Sequence, residues 1–175
     1  MNTWAQYQTE AQKTAVYPKN YGVLYTALGL VDESVEFLFS LGTKNEAKEL
    51  GDCFWYFANF VRELGLSIQD IDDTSYELED QAEFNNPIEA AREMIYTGGK
   101  ICGVIKKYIR DEKVGQPLSE DKLTQIDFEL SWYLNAMYYA MTHLNLDFDY
   151  VAGKNLEKLF SRQERGKLNG SGDSR

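Results

Sequence analysis

The stretch DESVEFLFSLGTKNEAKELGDCFW, residues 32–55, contains two apolar segments with helical periodicity, joined by a short polar turn. Each segment carries two acids three residues apart. The pairs are Glu33 with Glu36, and Glu49 with Asp52. Because residues three apart share one face of a helix, each pair is predicted to place two carboxylates side by side on one helix face. The short turn predicts an antiparallel helical hairpin in which the two carboxylate pairs face each other.

Helix-boundary residues extend this pattern over most of the chain. Thr43 and Glu46 have the spacing of a capping box, asparagine precedes Pro87, and Ser119 is placed to cap the following helix. The acidic segment 66–86 is predicted to be a solvated loop with at most one helical turn. The sequence therefore predicts an all-α fold, with helices at residues 3–17, 21–41, 44–65, 87–111, 119–144 and 148–163.

Length and composition favour a single folded domain. The chain has 175 residues, 43% of them hydrophobic and 14% aromatic, which is enough to bury a core. We expect this domain to cover residues 1–165, followed by a flexible tail at 166–175. Cys53 and Cys102 belong to no CxxC pair, which is typical of reduced cysteines in a cytoplasmic protein.

The charge distribution bears on possible partners. A net charge of −10 argues against binding a nucleic-acid backbone, which requires a basic surface. No apolar run approaches the roughly 20 residues that span a bilayer, and no signal peptide is recognisable at the start of the chain. From Val151 onward, six basic and three acidic residues give a local net charge of +3. We expect this segment to meet a negatively charged ligand.

Four acids among apolar residues need a positive partner, because burial without one raises the pKa of a carboxyl group and neutralises it. Oxygen ligands without histidine or cysteine suit a hard divalent cation such as Mg²⁺ or Mn²⁺. Thr26, Gly29 and Ser40 share the helix face of the first acidic pair, which predicts a groove with room for a ligand. The alternative is a surface salt bridge between Lys48 and Asp52, worth less than about 1 kcal/mol.

The order of these acids, E-x2-E followed after 12 residues by E-x2-D, resembles the MazG-like all-α nucleoside triphosphate pyrophosphohydrolases of bacteria and phages. YQTEAQKTAVYP (7–18), KKYIRD (106–111) and the ending 151–175 are also similar to that family. The resemblance implies hydrolysis of a (deoxy)nucleoside triphosphate to the monophosphate and pyrophosphate, by water activated on about two or three Mg²⁺ ions (or Mn²⁺). The implied metal ligands are Glu33, Glu36, Glu49 and Asp52. The implied catalytic residues are Glu33 and Glu36, of which Glu36 is the first candidate for the general base.

The resemblance also implies two sets of nucleotide contacts. Cationic side chains that would meet the phosphates are Lys106, Lys107, Arg110, Lys154, Lys158, Arg162, Arg165 and Arg175. Side chains that would contact the nucleoside are Gln8, Thr14, Trp55, Asn59 and Asn155. Simple solvation is the alternative for each lysine, and a place in the core is the alternative for Trp55.

A weak internal repeat distinguishes this chain from the family pattern. The segment from Glu49 aligns without gaps with the segment from Glu129. Lys100 and Gly103 then fall at the positions of the first acidic pair. This predicts an active hairpin at 21–65 and a degenerate hairpin at 87–144, packed as a pseudo-dimer.

We expect the protein to bind a nucleoside triphosphate and to form a homo-oligomer, either a dimer or a tetramer. No nucleic-acid or membrane partner is expected. Three alternatives remain open at this stage: a dUTP- or dCTP-specific enzyme, an alarmone-directed relative, and a non-catalytic helical regulator.

Overall fold

The computed structural model describes residues 3–78, 84–111 and 116–168, and these residues form seven α-helices and no strand. The helices are α1 (Trp4–Ala11), α2 (Gly22–Ser40), α3 (Glu46–Glu63), α4 (Ile68–Glu77), α5 (Pro87–Asp111), α6 (Glu120–Leu144) and α7 (Phe148–Glu164). Two short 3₁₀ helices, Gln12–Thr14 and Lys19–Tyr21, connect α1 to α2. The prediction of an all-α fold is confirmed.

Two helical hairpins form the centre of the molecule. Helix α2 packs on α3, α5 packs on α6, and α2 also packs along α5, which joins the hairpins. Helices α1 and α7 both pack on α3, whereas α4 packs on α6. Aromatic rings of α1, α3 and α7 meet where Trp4 contacts Phe54 and Phe148. This arrangement brings the last helix beside the hairpin that carries the four acids.

The small residues on α2 have a different role from the one predicted. Gly29 and Thr26 are buried, and a methyl group added at Gly29 would overlap the ring of Tyr56 on α3. The hydroxyl of Thr26 donates to the backbone oxygen of Gly22 at 2.7 Å. The prediction of a ligand groove along this face is therefore wrong, because the small side chains allow α3 to approach α2 closely.

One predicted loop is a helix. Helix α4 lies within segment 66–86, and the hydroxyl of Ser67 caps it by accepting from the backbone N–H of Asp70 at 3.2 Å. Ile68 and Ile71 are buried, so the apolar residues face the core while most of the acids face solvent. None of the helices in the described ranges is long and apolar enough to cross a membrane.

Helix starts agree with the sequence in one case and differ in another. The side-chain oxygen of Asn86 accepts from the backbone N–H of Glu89 at 3.0 Å, as predicted for a cap before Pro87. The predicted capping box at Thr43 is wrong, because α3 begins at Glu46 and its cap residue makes no side-chain cap bond. Of the predicted tail, residues 169–175 lie outside the described residues.

Candidate functional site

Three of the four predicted acids come together at one end of the α2–α3 hairpin. Glu33, Glu36 and Glu49 each offer a carboxylate oxygen, and these three oxygens lie within 4.8 Å of one another. We call these residues the acidic cluster. Helical spacing places the first two on one face of α2, and antiparallel packing brings Glu49 of α3 opposite them. A set of carboxylate oxygens suits a hard divalent cation, so the residues fit Mg²⁺ or Mn²⁺.

The surroundings of the acidic cluster oppose the accumulation of negative charge. Burial, together with the negative charges of Asp52 and Glu36, raises the pKa of Glu33 to about 8. Desolvation followed by the charge of Glu49 also raises the pKa of Glu36, although its side chain is exposed. Glu49 is buried and accepts a hydrogen bond from the ammonium of Lys48 at 2.8 Å. A positive charge at the acidic cluster would offset this desolvation and repulsion.

Asp52 lies beside the acidic cluster but is bound to the last helix. The ammonium of Lys158 donates to both of its carboxylate oxygens at 2.5 Å. The side-chain amide of Asn155 donates to the same carboxylate at 3.0 Å, and its oxygen accepts from the hydroxyl of Tyr7 at 2.8 Å. The site predicted from four acids thus consists of three acids in a cluster and a fourth that is paired with a lysine.

A cationic cavity of about 650 Å³ lies between the start of α3 and helix α7. One of its lining residues, Lys48, bonds Glu49 of the acidic cluster. We call this cavity the basic groove. It also contains the polar side chains of Asn155 and Ser161 and a single acid, Glu157. Its basic lining residues are Lys44, Lys48, Lys154, Lys158, Arg162 and Arg165. Because two of these lysines bond acids of the hairpin, the negative and positive surfaces are continuous.

Four of the predicted phosphate-binding residues line the basic groove: Lys154, Lys158, Arg162 and Arg165. Three others lie on the exposed surface of α5: Lys106, Lys107 and Arg110. Of these, Arg110 pairs with Asp111 at 2.6 Å, and Lys107 lines a different cavity. Arg175 lies outside the described residues.

Sequence reasoning missed two residues of the basic groove, Lys44 and Lys48. Both lie in or just after the turn between the two acidic pairs. Their position between the acids was the signal that could have identified them, because a turn that brings the acids together also brings these lysines to the cluster.

The predicted nucleoside-binding residues are placed mainly in the core. The indole N–H of Trp55 donates to the hydroxyl of Thr14 at 2.9 Å and to the carbonyl of Ala11 at 3.2 Å. These bonds tie the end of α1 and the following 3₁₀ helix to α3, which favours the core alternative for Trp55. The amides of Gln8 and Asn59 donate to backbone oxygens of α3, those of Ala58 and Trp55 respectively. Asn155 is the member of this set that lines the basic groove.

The second hairpin has a related but different arrangement. Lys100 of α5 forms an ion pair with the buried carboxylate of Glu129 on α6. The same two residues line a cavity of about 480 Å³ together with Lys107 and Phe128. A lysine ammonium therefore stands near Glu129 where the first hairpin has further acids.

The chain matches no protein-family model, and no curated protein or solved structure matches it. We therefore infer function from the acidic cluster and the basic groove themselves. A ligand that spans both would chelate a cation held by the carboxylates at one end and carry several negative charges at the other. Phosphate chains have both properties, because they chelate divalent cations and pair with arginine and lysine.

Proposed function

We propose that the protein hydrolyses a (deoxy)nucleoside triphosphate to the nucleoside monophosphate and pyrophosphate, with Mg²⁺ or Mn²⁺ as cofactor. The observation that carries the proposal is the direct border between the acidic cluster and the basic groove. Lys48 bonds Glu49 and Lys158 bonds Asp52, so both lysines lie at that border. The similarity of the acidic series to MazG-like enzymes supports the same reaction.

Glu33, Glu36 and Glu49 are the residues that would hold the cation. A divalent cation bound there supplies neutralisation of phosphate charge and makes a nearby water more acidic. The chain itself then has two tasks, which are to accept the proton of the attacking water and to hold the phosphates in line. Glu36 is suited to the first task because its carboxylate is the exposed member of the cluster and is reachable by water.

In this reaction, the water oxygen forms a bond to the α-phosphorus while Glu36 accepts the water proton. The bond from the α-phosphorus to the bridging oxygen breaks, and its electron pair leaves with pyrophosphate. Arg165 is exposed and can hold two phosphate oxygens, since guanidinium groups bind phosphate in a bidentate manner. Arg162 lines the same groove but is buried. Lys154 adds a third cation to the same wall of the basic groove.

We propose further that the second hairpin is a degenerate copy of the first. Gly98 on α5 lies against Val31 on α2, where an added methyl group would come within 3.1 Å of the Val31 side chain. The alignment that places Lys100 at the position of Glu33 makes Gly98 and Val31 equivalent, and equivalent residues meet near a two-fold axis. In this hairpin, the Lys100 ammonium supplies the positive charge that the buried Glu129 needs.

Product analysis tests the proposed reaction. Purified protein is incubated with Mg²⁺ and each common nucleoside and deoxynucleoside triphosphate, and the products are separated by anion exchange. We expect the monophosphate and pyrophosphate, with loss of at least about a hundredfold in rate for Glu36→Gln and Glu49→Gln. Asp32→Asn is the matched control, because it removes an exposed acid of α2 that lies outside the cluster.

Three outcomes of this assay would count against the proposal. Release of the diphosphate and inorganic phosphate would identify a different bond as the one cleaved. Equal rates for Glu36→Gln, Glu49→Gln and Asp32→Asn would show that the acidic cluster takes no part in the reaction. Absence of turnover with every triphosphate would favour the non-catalytic helical regulator.

A further inference from the structure

The ion pair between Asp52 and Lys158 lies beside the acidic cluster. Asp52 follows Glu49 by three residues on α3, and its charge acts directly on Glu33 of α2. Both of its oxygens accept from the Lys158 ammonium, and one of them also accepts from Asn155. The Asp52 and Lys158 side chains are 19% and 17% exposed, so solvent screens this pair only in part.

Lys158 belongs to the basic groove as much as to Asp52. It lies one helical turn from Lys154 and one from Arg162 on α7, and all three line the groove. A lysine side chain has a flexible stem and a compact ammonium with three donors. The same ammonium can therefore reach the Asp52 carboxylate or an anion in the groove by changes of side-chain rotamer alone.

We propose that Lys158 and a divalent cation compete for Asp52. When a cation binds to the acidic cluster and takes Asp52 as a further ligand, the Lys158 ammonium leaves the carboxylate and turns to the phosphate chain in the basic groove. This inference rests on the proposed function and adds a coupling between its two parts. The cation gains a fourth carboxylate, and the phosphate chain gains a lysine, in the same step.

The exchange has a thermodynamic consequence for each ligand. A cation that binds without a phosphate chain must displace the ammonium while no anion is there to receive it. An anion in the groove offers the displaced ammonium a new partner, so the cation binds more tightly when the anion is bound. The coupling is reciprocal, and the cation raises the affinity for the anion by the same factor.

Binding of Mn²⁺ alone tests the competition without any measurement of activity. The free Mn²⁺ signal in electron paramagnetic resonance is titrated against the wild-type protein, Lys158→Met and Lys158→Gln. We expect both variants to bind Mn²⁺ about tenfold more tightly. A tenfold change in affinity corresponds to about the free energy that a hydrogen bond to a charged group contributes. Lys154→Met is the matched control, because Lys154 lies on the same helix and pairs with the exposed Glu157. It should leave the affinity nearly unchanged.

A second background separates competition from the general effect of removing a positive charge. In Asp52→Asn, the carboxylate for which the two cations compete is absent. We therefore expect Lys158→Met to leave the Mn²⁺ affinity of Asp52→Asn unchanged, as in a double-mutant cycle. A gain of the same size in both backgrounds, or an equal gain in Lys154→Met, would show a long-range field effect and overturn the inference.

The remaining outcomes distinguish this inference from the proposed function. Equal Mn²⁺ affinity in the wild-type protein and both Lys158 variants would overturn the competition while leaving a metal-dependent hydrolase in place. Weaker binding in both variants would make Lys158 a residue that orients Asp52, which also overturns it. Failure of the wild type and all variants to bind Mn²⁺ would overturn both the competition and the proposed metal cofactor.

Discussion

Tyr7 donates a buried hydrogen bond of 2.8 Å to the side-chain oxygen of Asn155, which lies 148 residues later in the chain. The amide of Asn155 in turn donates to Asp52 at 3.0 Å. One polar chain therefore joins α1, α7 and α3 and ends at the border of the acidic cluster. The hydrogen bond from Asn155 therefore helps to position Asp52.

The Tyr7→Phe substitution removes the donor and leaves the buried oxygen of Asn155 without it. We expect the free energy of unfolding to fall by about 1–2 kcal/mol, the usual cost of an unsatisfied buried acceptor. Urea unfolding followed by circular dichroism measures this change. Tyr21→Phe is the control, because Tyr21 is 52% exposed. An equal effect of the two substitutions would show that the Tyr7 hydroxyl makes no net contribution to stability.

Substitution of two helical glycines should have opposite effects. At Gly29 an added methyl group would overlap the ring of Tyr56, so Gly29→Ala should force α2 and α3 apart and destabilise the protein by at least about 2 kcal/mol. At Gly99 of α5 no heavy atom lies within 4 Å of the added carbon. Gly99→Ala should therefore stabilise the protein by about 1 kcal/mol through helix propensity. Thermal unfolding of the two variants checks both signs, and stabilisation by Gly29→Ala would contradict the close packing of α2 on α3.

The pKa of Glu33 predicts how stability depends on pH. Its pKa is raised from an ordinary value of 4.5 to about 8 in the folded protein. Between these values the folded protein holds a proton that the unfolded chain releases, so the free energy of unfolding falls as pH rises. Glu33 alone makes the free energy of unfolding fall by up to about 1.4 kcal/mol per pH unit in this range, and this dependence disappears above the folded pKa.

Urea unfolding at a series of pH values, with a chelator present throughout, measures this dependence. The Glu33→Gln variant cannot release a proton there, so its free energy of unfolding should change less with pH over the same window. Asp32→Asn changes the adjacent exposed residue and should retain most of the wild-type slope. A Glu33→Gln variant with the wild-type slope would assign the pH dependence to other groups.

Local sequence patterns predicted the hairpin because helical periodicity and the spacing of the acids act within one turn of helix. Those patterns predicted one site of four acids, and the structure brings three of them, Glu33, Glu36 and Glu49, into a cluster. The Lys158–Asp52 pair spans 106 residues, and no local spacing encodes it. The same limit explains the error at Gly29, because only the packing partner decides whether a small residue makes room for a ligand or for a helix.

Helix α4 was missed for a different reason. Its two buried isoleucines, Ile68 and Ile71, lie among acids that favour a solvated loop on composition alone. The helix is stabilised by packing on α6 and by the Ser67 cap. Tertiary contact thus decides its structure where the local pattern is weak.

The ion pair of the second hairpin gives the last prediction. Glu129 is buried, and its second carboxylate oxygen has no hydrogen-bond partner within the described parts of the chain. Lys100→Met would leave this buried carboxylate without its paired ammonium and should lower the free energy of unfolding by about 2 kcal/mol. This is less than for a fully buried pair, because the Lys100 side chain is 43% exposed.

Replacing both partners should restore much of the loss, since an apolar pair of similar shape leaves no unpaired charge in the core. The Lys100→Met/Glu129→Met double variant is therefore expected to unfold at a urea concentration close to that of the wild type. Lys107→Met is the control, because its exposed lysine lines the same cavity. If the double variant were less stable than Lys100→Met alone, Glu129 would stabilise the hairpin by itself, and Lys100 would not be the cation on which it depends.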